Sequence, residues 1–188
     1  MDEQRLIENI LSGDTQSFSY LVTQYQGMAF NIALRILENR EEAEEAVQDA
    51  FVKAYRALPD FHFGSKFSTW FYRIVYNTAI TIRRKQFIYT AGYEEAESGQ
   101  ITTDEIDNAS SLLEREDRKE IISRVLKKLP EDEALLLTFY YLDECSVEDI
   151  HQITGLTASN IKVKLFRARK HFYVTLKQMM KHEIHNIL

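Results

Sequence analysis

The chain has 188 residues, 45% of them hydrophobic, and a formal net charge of −6; that size suits one ordinary domain or two small ones, and the composition excludes disorder as the default. The single cysteine, Cys145, rules out an internal disulfide and a Cys-rich zinc site, and it reads as a small apolar residue sooner than as a reactive thiol. No apolar run approaches the ~20 residues that cross a bilayer, and the Met1-Asp2-Glu3 start is unlike a signal peptide, so a cytoplasmic protein without direct membrane insertion is expected.

Two prolines and six glycines leave few breaks, and helices dominate. Leu6, Ile7, Ile10 and Leu11 mark a short helix ending near Gly13. Asp14 can cap a second helix with the stripe Phe18, Leu21, Val22, Tyr25, Ala29, Ile32, Ala33 and Ile36. Asn39 with Glu42 is a capping-box-like pair that opens a helix running to about Leu58, where Pro59 ends it. Its stripe of Ala43, Ala46, Val47, Ala50, Ala54 and Leu58 favours close packing. A short loop leads to a helix from about Ser68 to Lys85, with Phe67, Phe71, Ile74, Val75, Thr78 and Ile82 on its apolar face. From Tyr93 to Ser111 acids, Ser, Thr, Gly and Asn replace large apolar residues, a composition that cannot offset its own chain entropy and reads as a flexible acidic linker. Helical periodicity resumes at Leu112, Leu113, Ile121, Ile122, Val125, Leu126 and Leu129. After Pro130, Leu135, Leu136, Phe139, Tyr140 and Leu142 carry another helix, and two more follow.

The expected architecture is therefore all-α: two small helical domains, 1–92 and 112–188, joined by the linker 93–111. The acidic net charge argues against a nucleic-acid partner until its distribution is considered. No acid occurs from Phe61 to Tyr93 or from His151 to His182, whereas acids gather in Glu38 to Asp49 and Glu94 to Glu120. Alternating signs suit contacts with an anion and with a separate, basic partner. Either basic segment alone reads equally well as a solvated helix face.

The run Ser146 to Arg169 is the strongest motif. Ser146 can cap a short helix whose third position is Asp149, Gly155 supplies a turn of positive φ, and Thr157 can cap the following helix. In that helix Ile161, Leu165, Ala168 and Phe172 form one buried stripe. Asn160, Lys162, Val163, Lys164, Phe166 and Arg167 are left outside. An eight-residue helix, a glycine turn and a basic helix describe a DNA-reading helix-turn-helix. His151 stands four residues before the turn glycine, where a small residue is usual. Either the helices open slightly or the imidazole slides out along the surface.

Phe67-Ser-Thr-Trp-Phe-Tyr-Arg-Ile-Val-Tyr-Asn-Thr-Ala79, preceded by Glu44 to Leu58, closely resembles bacterial sigma factors of the extracytoplasmic-function group. Leu129-Pro130 and Lys162 to Arg169 carry the same resemblance into the second half. It implies a protein that binds core RNA polymerase and promoter DNA. The polar side of the Asn39–Leu58 helix, with Glu41, Glu45, Gln48, Asp49 and Val52, would meet polymerase. Ser65, Lys66, Phe67, Trp70, Arg73, Asn77 and Arg84 would take the −10 element, with an extruded base stacking on an aromatic. Trp70 reads equally well as a core tryptophan. Thr157, Ser159, Asn160, Lys162, Val163, Lys164, Phe166 and Arg167 would read the −35 element. Val163 and Lys164 stand where a Ser-Arg pair is common and Asn160 replaces a frequent Thr, so a familiar −35 sequence is not assumed. An anti-sigma partner is implied by resemblance alone. A stand-alone helix-turn-helix regulator and a protein-only adaptor are the rivals. No metal spacing, phosphate-cradling glycine loop or nucleophile signature is present, so no enzyme, cofactor, metal or small-molecule substrate is expected.

Overall fold

The computed structural model describes residues 3–90 and 115–185. The expected linker, 93–111, lies outside them. Among the described residues every regular element is helical.

The first helix, α1 (Glu3–Leu11), buries Leu6, Ile7 and Ile10 against α2 (Thr15–Leu37). Between them Gly13 takes φ 108°, and Asp14 caps α2 by accepting from the backbone N–H of Gln16 at 3.0 Å. Asn39 caps α3 (Arg40–Ala57) in the same way, accepting from the N–H groups of Glu41 and Glu42 at 2.9 and 3.2 Å. Ala43, Ala46, Ala50 and Ala54 are fully buried, and these short side chains let α3 lie close to its neighbours α2 and α4. A single 3-10 turn through Pro59 ends α3. The next helix, α4 (Phe67–Thr90), runs past its expected end at Lys85, because Gln86-Phe-Ile-Tyr-Thr90 contains no breaker. Phe71 stacks on Phe51 and on Phe67, with ring centroids 4.5 and 5.9 Å apart, and forms the centre of this three-helix core.

The second half begins with α5 (Arg115–Leu126). Pro130 starts α6 (Glu131–Leu137), which widens into a π turn, Thr138–Leu142. The Thr138 hydroxyl donates back to the Ala134 carbonyl at 2.8 Å, and Asp143 N–H reaches the Thr138 carbonyl at 3.1 Å. The wider turn rotates Leu142 outward, so this residue, expected inside, is exposed. Then come α7 (Val147–Thr154) and α8 (Ala158–His185). Val125, Leu135, Phe139, Ile150, Ile161 and Leu165 form the core of this half.

The halves also pack on one another, which periodicity did not anticipate: α7 lies on α4, and α6 touches α2. Thr69 and Tyr72 of α4 are buried although they stand off its expected apolar stripe.

Candidate nucleic-acid interface

The helix-turn-helix is built by contacts only a few residues apart in sequence. The Ser146 hydroxyl accepts from Asp149 N–H at 3.1 Å while the Asp149 carboxylate accepts from Ser146 N–H at 2.9 Å, a complete capping box. Burial alone would raise the Asp149 carboxyl, but hydrogen bonds from Ser146 and Thr69 outweigh it and hold the group below the usual carboxylate range. Gly155 closes α7 at φ 74°, donating its N–H to the His151 carbonyl at 2.8 Å. Thr157 caps α8 by accepting from Asn160 N–H at 3.3 Å. His151 takes the second of its two expected courses. Its ring lies on the surface, with Nδ1 2.7 Å from the Leu156 carbonyl. Because a carbonyl only accepts, Nδ1 carries the proton.

Ile161, Leu165 and Ala168 face inward, and Phe172 is partly buried. Thr157, Ser159, Asn160, Lys162, Val163, Phe166 and Arg167 are exposed on the opposite sides. Val163 and Phe166, each 47% exposed, are large apolar groups that the core does not use. Lys164 differs: it is only half-exposed and forms an ion pair with Asp132 at the start of α6. That pair joins residues 32 positions apart, and no local pattern signals it.

On α4, Arg73, Asn77 and Arg84 are exposed, as is Lys66 in the preceding loop; Ser65 is half-buried. Trp70 is half-buried, lodged between Phe61 and Phe67 at 5.1 and 5.5 Å, so it serves the core with one edge and shows the other. Phe67, placed by the sequence both in the apolar stripe and among the −10 residues, is 1% exposed. Its ring cannot reach a nucleotide, and the structure corrects that assignment to a core position beneath Trp70. The loop from Phe61 to Phe67, which the resemblance places beside the −10 residues, displays a second ring. Phe63 is 45% exposed, packs on Phe61 at 5.0 Å and holds the left-handed backbone at φ 54°. The adjacent Gly64 marked the turn, but not which ring it would display.

Two family models match this chain in the same order as its two halves: Sigma-70 region 2 over residues 21–87 and Sigma-70, region 4 over residues 119–172. The ECF RNA polymerase sigma-E factor of Escherichia coli is 33% identical over 182 residues, covering 90% of this chain and 92% of that protein. The RNA polymerase sigma-H factor of Pseudomonas aeruginosa is 30% identical, covering 95% and 96%. The chain belongs to the extracytoplasmic-function sigma factors. It directs transcription initiation by RNA polymerase at promoters, and matches to both halves leave the stand-alone regulator unfavoured. The fold agrees: the sigma factor RpoE of Bartonella quintana, solved with the anti-sigma factor NepR, is similar at TM-score 0.63 and 22% identity, covering 87% of this chain and 98% of that one. CnrH, solved with the cytosolic domain of CnrY, is similar at TM-score 0.60 and 22% identity, covering 94% and 97%.

In this sigma factor the outer face of α3 presents Glu41, Glu45, Gln48, Asp49 and Val52, all exposed. Tyr55, 42% exposed and set edge-on to Phe18 at 5.0 Å, continues that face one turn beyond Val52. Among the described residues no group of three or more His, Cys, Asp or Glu could hold a metal, and no helix is long and apolar enough to cross a membrane.

Proposed function

We propose that the two halves divide promoter recognition, with residues 1–92 serving the −10 element and polymerase and 112–188 serving the −35 element. The exposed residues of early α8, Thr157, Ser159, Asn160, Lys162, Val163, Phe166 and Arg167, read base edges and phosphates in the major groove, joined by Lys164 once it leaves Asp132. Lys66, Arg73, Asn77 and Arg84, with Ser65 and the free edge of Trp70, hold the unstacked −10 strand, where rings accept bases and cations take phosphates. The acidic face of α3, Glu41 to Val52, binds polymerase. The protein acts by binding alone and catalyses no reaction. Its place is the cytoplasm, with promoter DNA and polymerase, and an anti-sigma factor restrains it.

The observation carrying this reading is the outward aim of an acid-free helix face behind a fully capped, glycine-turned α7. The test is transcription from a mapped promoter with Arg167→Ala and, separately, Glu45→Ala. Arg167→Ala should reduce promoter affinity by about 5- to 150-fold, matching a loss of ~1–3 kcal/mol, with core binding intact. Glu45→Ala should weaken core binding first. Equal loss of core binding in Arg167→Ala would refute the division of labour.

A further inference from the structure

The outward face of α8 is apolar at its centre and charged at its sides. At about 100° per residue, position 163 falls directly opposite the midpoint of the buried Ile161 and Leu165. Val163 occupies it, and Phe166 sits beside it nearly one turn on, each 47% exposed. Lys162 flanks the pair on one side, Asn160 and Arg167 on the other, and all three are exposed. A valine left in water contributes nothing by its methyl groups, and it has neither donor nor acceptor for a base edge or a phosphate.

The pattern around the pair says what covers it. A helix that lays an apolar face into a protein groove repeats its anchors at i, i+3, i+4 and i+7. From Val163 that row continues as Phe166, Arg167 and Lys170, so it turns cationic after a single turn. No acid interrupts the charge from His151 to His182. Duplex DNA matches both parts of this face. Phosphates border the major groove, within reach of the flanking cations, and base edges form its floor. The apolar group on that floor is the 5-methyl of thymine.

We propose that Val163 is a specificity residue of this sigma factor: it selects thymine at one position of the −35 element by packing against the 5-methyl group, while Phe166 closes the same methyl off from water. This role rests on the reading of α8 as the −35 helix, which it deepens. A serine at 163 hydrogen-bonds to base edges of more than one kind. Valine replaces that tolerant contact with one that a methyl group satisfies.

The test removes the methyl and nothing else. Each −35 thymine of a mapped promoter is replaced in turn by deoxyuridine, which keeps every donor and acceptor. The dissociation constant of the complete polymerase holoenzyme is then measured at one fixed salt concentration. At one position the wild type should lose about fourfold in affinity, equivalent to the ~0.8 kcal/mol of one buried carbon. Val163→Ser should bind the thymine and uracil promoters equally, and Phe166→Ala should fall between. Cytosine at that position should weaken wild-type binding, and 5-methylcytosine should recover about fourfold of the loss, because its methyl projects from the same ring carbon. Position 163 is exposed, so its substitution leaves the core intact, and the deoxyuridine arm leaves the polypeptide unaltered. If no uracil replacement separates wild type from Val163→Ser while Arg167→Ala still weakens promoter binding, the methyl contact is overturned and α8 remains the −35 helix. If neither Val163→Ser nor Arg167→Ala alters promoter affinity, the reading of α8 falls and the methyl contact with it.

Discussion

In the N-terminal half, Phe51, Phe67 and Phe71 stack across two helices and Tyr25 joins them from a third. In the C-terminal half the decisive contacts are short-range: Ser146 with Asp149, Gly155 with His151, Thr157 with Asn160. The helix proposed to meet the −10 element is thus positioned by rings far apart in sequence, and the one proposed to meet the −35 element by turn chemistry within fifteen residues of its start. The first arrangement concentrates stability in a few large side chains. The second spreads it over several small hydrogen bonds, each of which can be removed without emptying the core.

The sharpest break of that contrast is Phe71→Ala. Deleting a fully buried ring between two others should cost ~3–5 kcal/mol. Urea unfolding followed by the fluorescence of Trp70, the sole tryptophan, reports on that half directly. A loss below ~1 kcal/mol would show that the aromatic stack is not what organises the half. Next in size is Gly155→Ala. An added Cβ meets no atom within 4 Å, so the cost is backbone strain alone at φ 74°, ~1–2 kcal/mol in urea unfolding followed by helical circular dichroism. A smaller effect, ~1 kcal/mol, is expected of Ser146→Ala, which removes the hydroxyl side of the capping box.

That variant also changes the pH response. The Asp149 carboxyl is depressed in the folded chain, so its stabilising contribution is complete above the unfolded value near ~3.9 and disappears as pH falls through the lower folded value. Removing the Ser146 hydroxyl should make the acid-side decline shallower, read as the difference between melting curves at neutral and acidic pH. Smallest of all is Asp132→Asn. Its pair with Lys164 is partly exposed and worth less than ~1 kcal/mol to folding. Freed from it, Lys164 should steepen the salt dependence of DNA binding by up to about one unit of slope. An unchanged slope would mean that Lys164 does not meet phosphate.

These contrasts also explain which parts of the molecule were legible in the amino-acid string. The caps at Asp14, Asn39 and Ser146, the turn at Gly155 and the alanine stripe of α3 all appear where residue type and spacing put them, because each depends on neighbours within four residues or on a single helical period. Thr69 and Tyr72 escaped because a polar residue off the apolar stripe reads as exposed unless its partner is known, and Asp149 and Asp143 lie 80 and 71 positions away. The pair of Lys164 with Asp132 escaped for the same reason, the two lying 32 positions apart. Phe67 was misplaced because one helical face can serve a core and border a binding surface at once, and sequence spacing does not divide the two. Leu142 turned outward because a π turn adds one residue to the helical count, which a fixed period cannot register.

The setting of Cys145 carries a consequence for chemical sensing. Burial and the neighbouring Asp143 push its thiol up to about 12, so at neutral pH the group stays in its protonated, less reactive form. Peroxides and electrophiles attack the thiolate, and the side chain is enclosed as well. As the single sulfhydryl of this sequence, an enclosed and protonated Cys145 is a poor target for direct thiol oxidation.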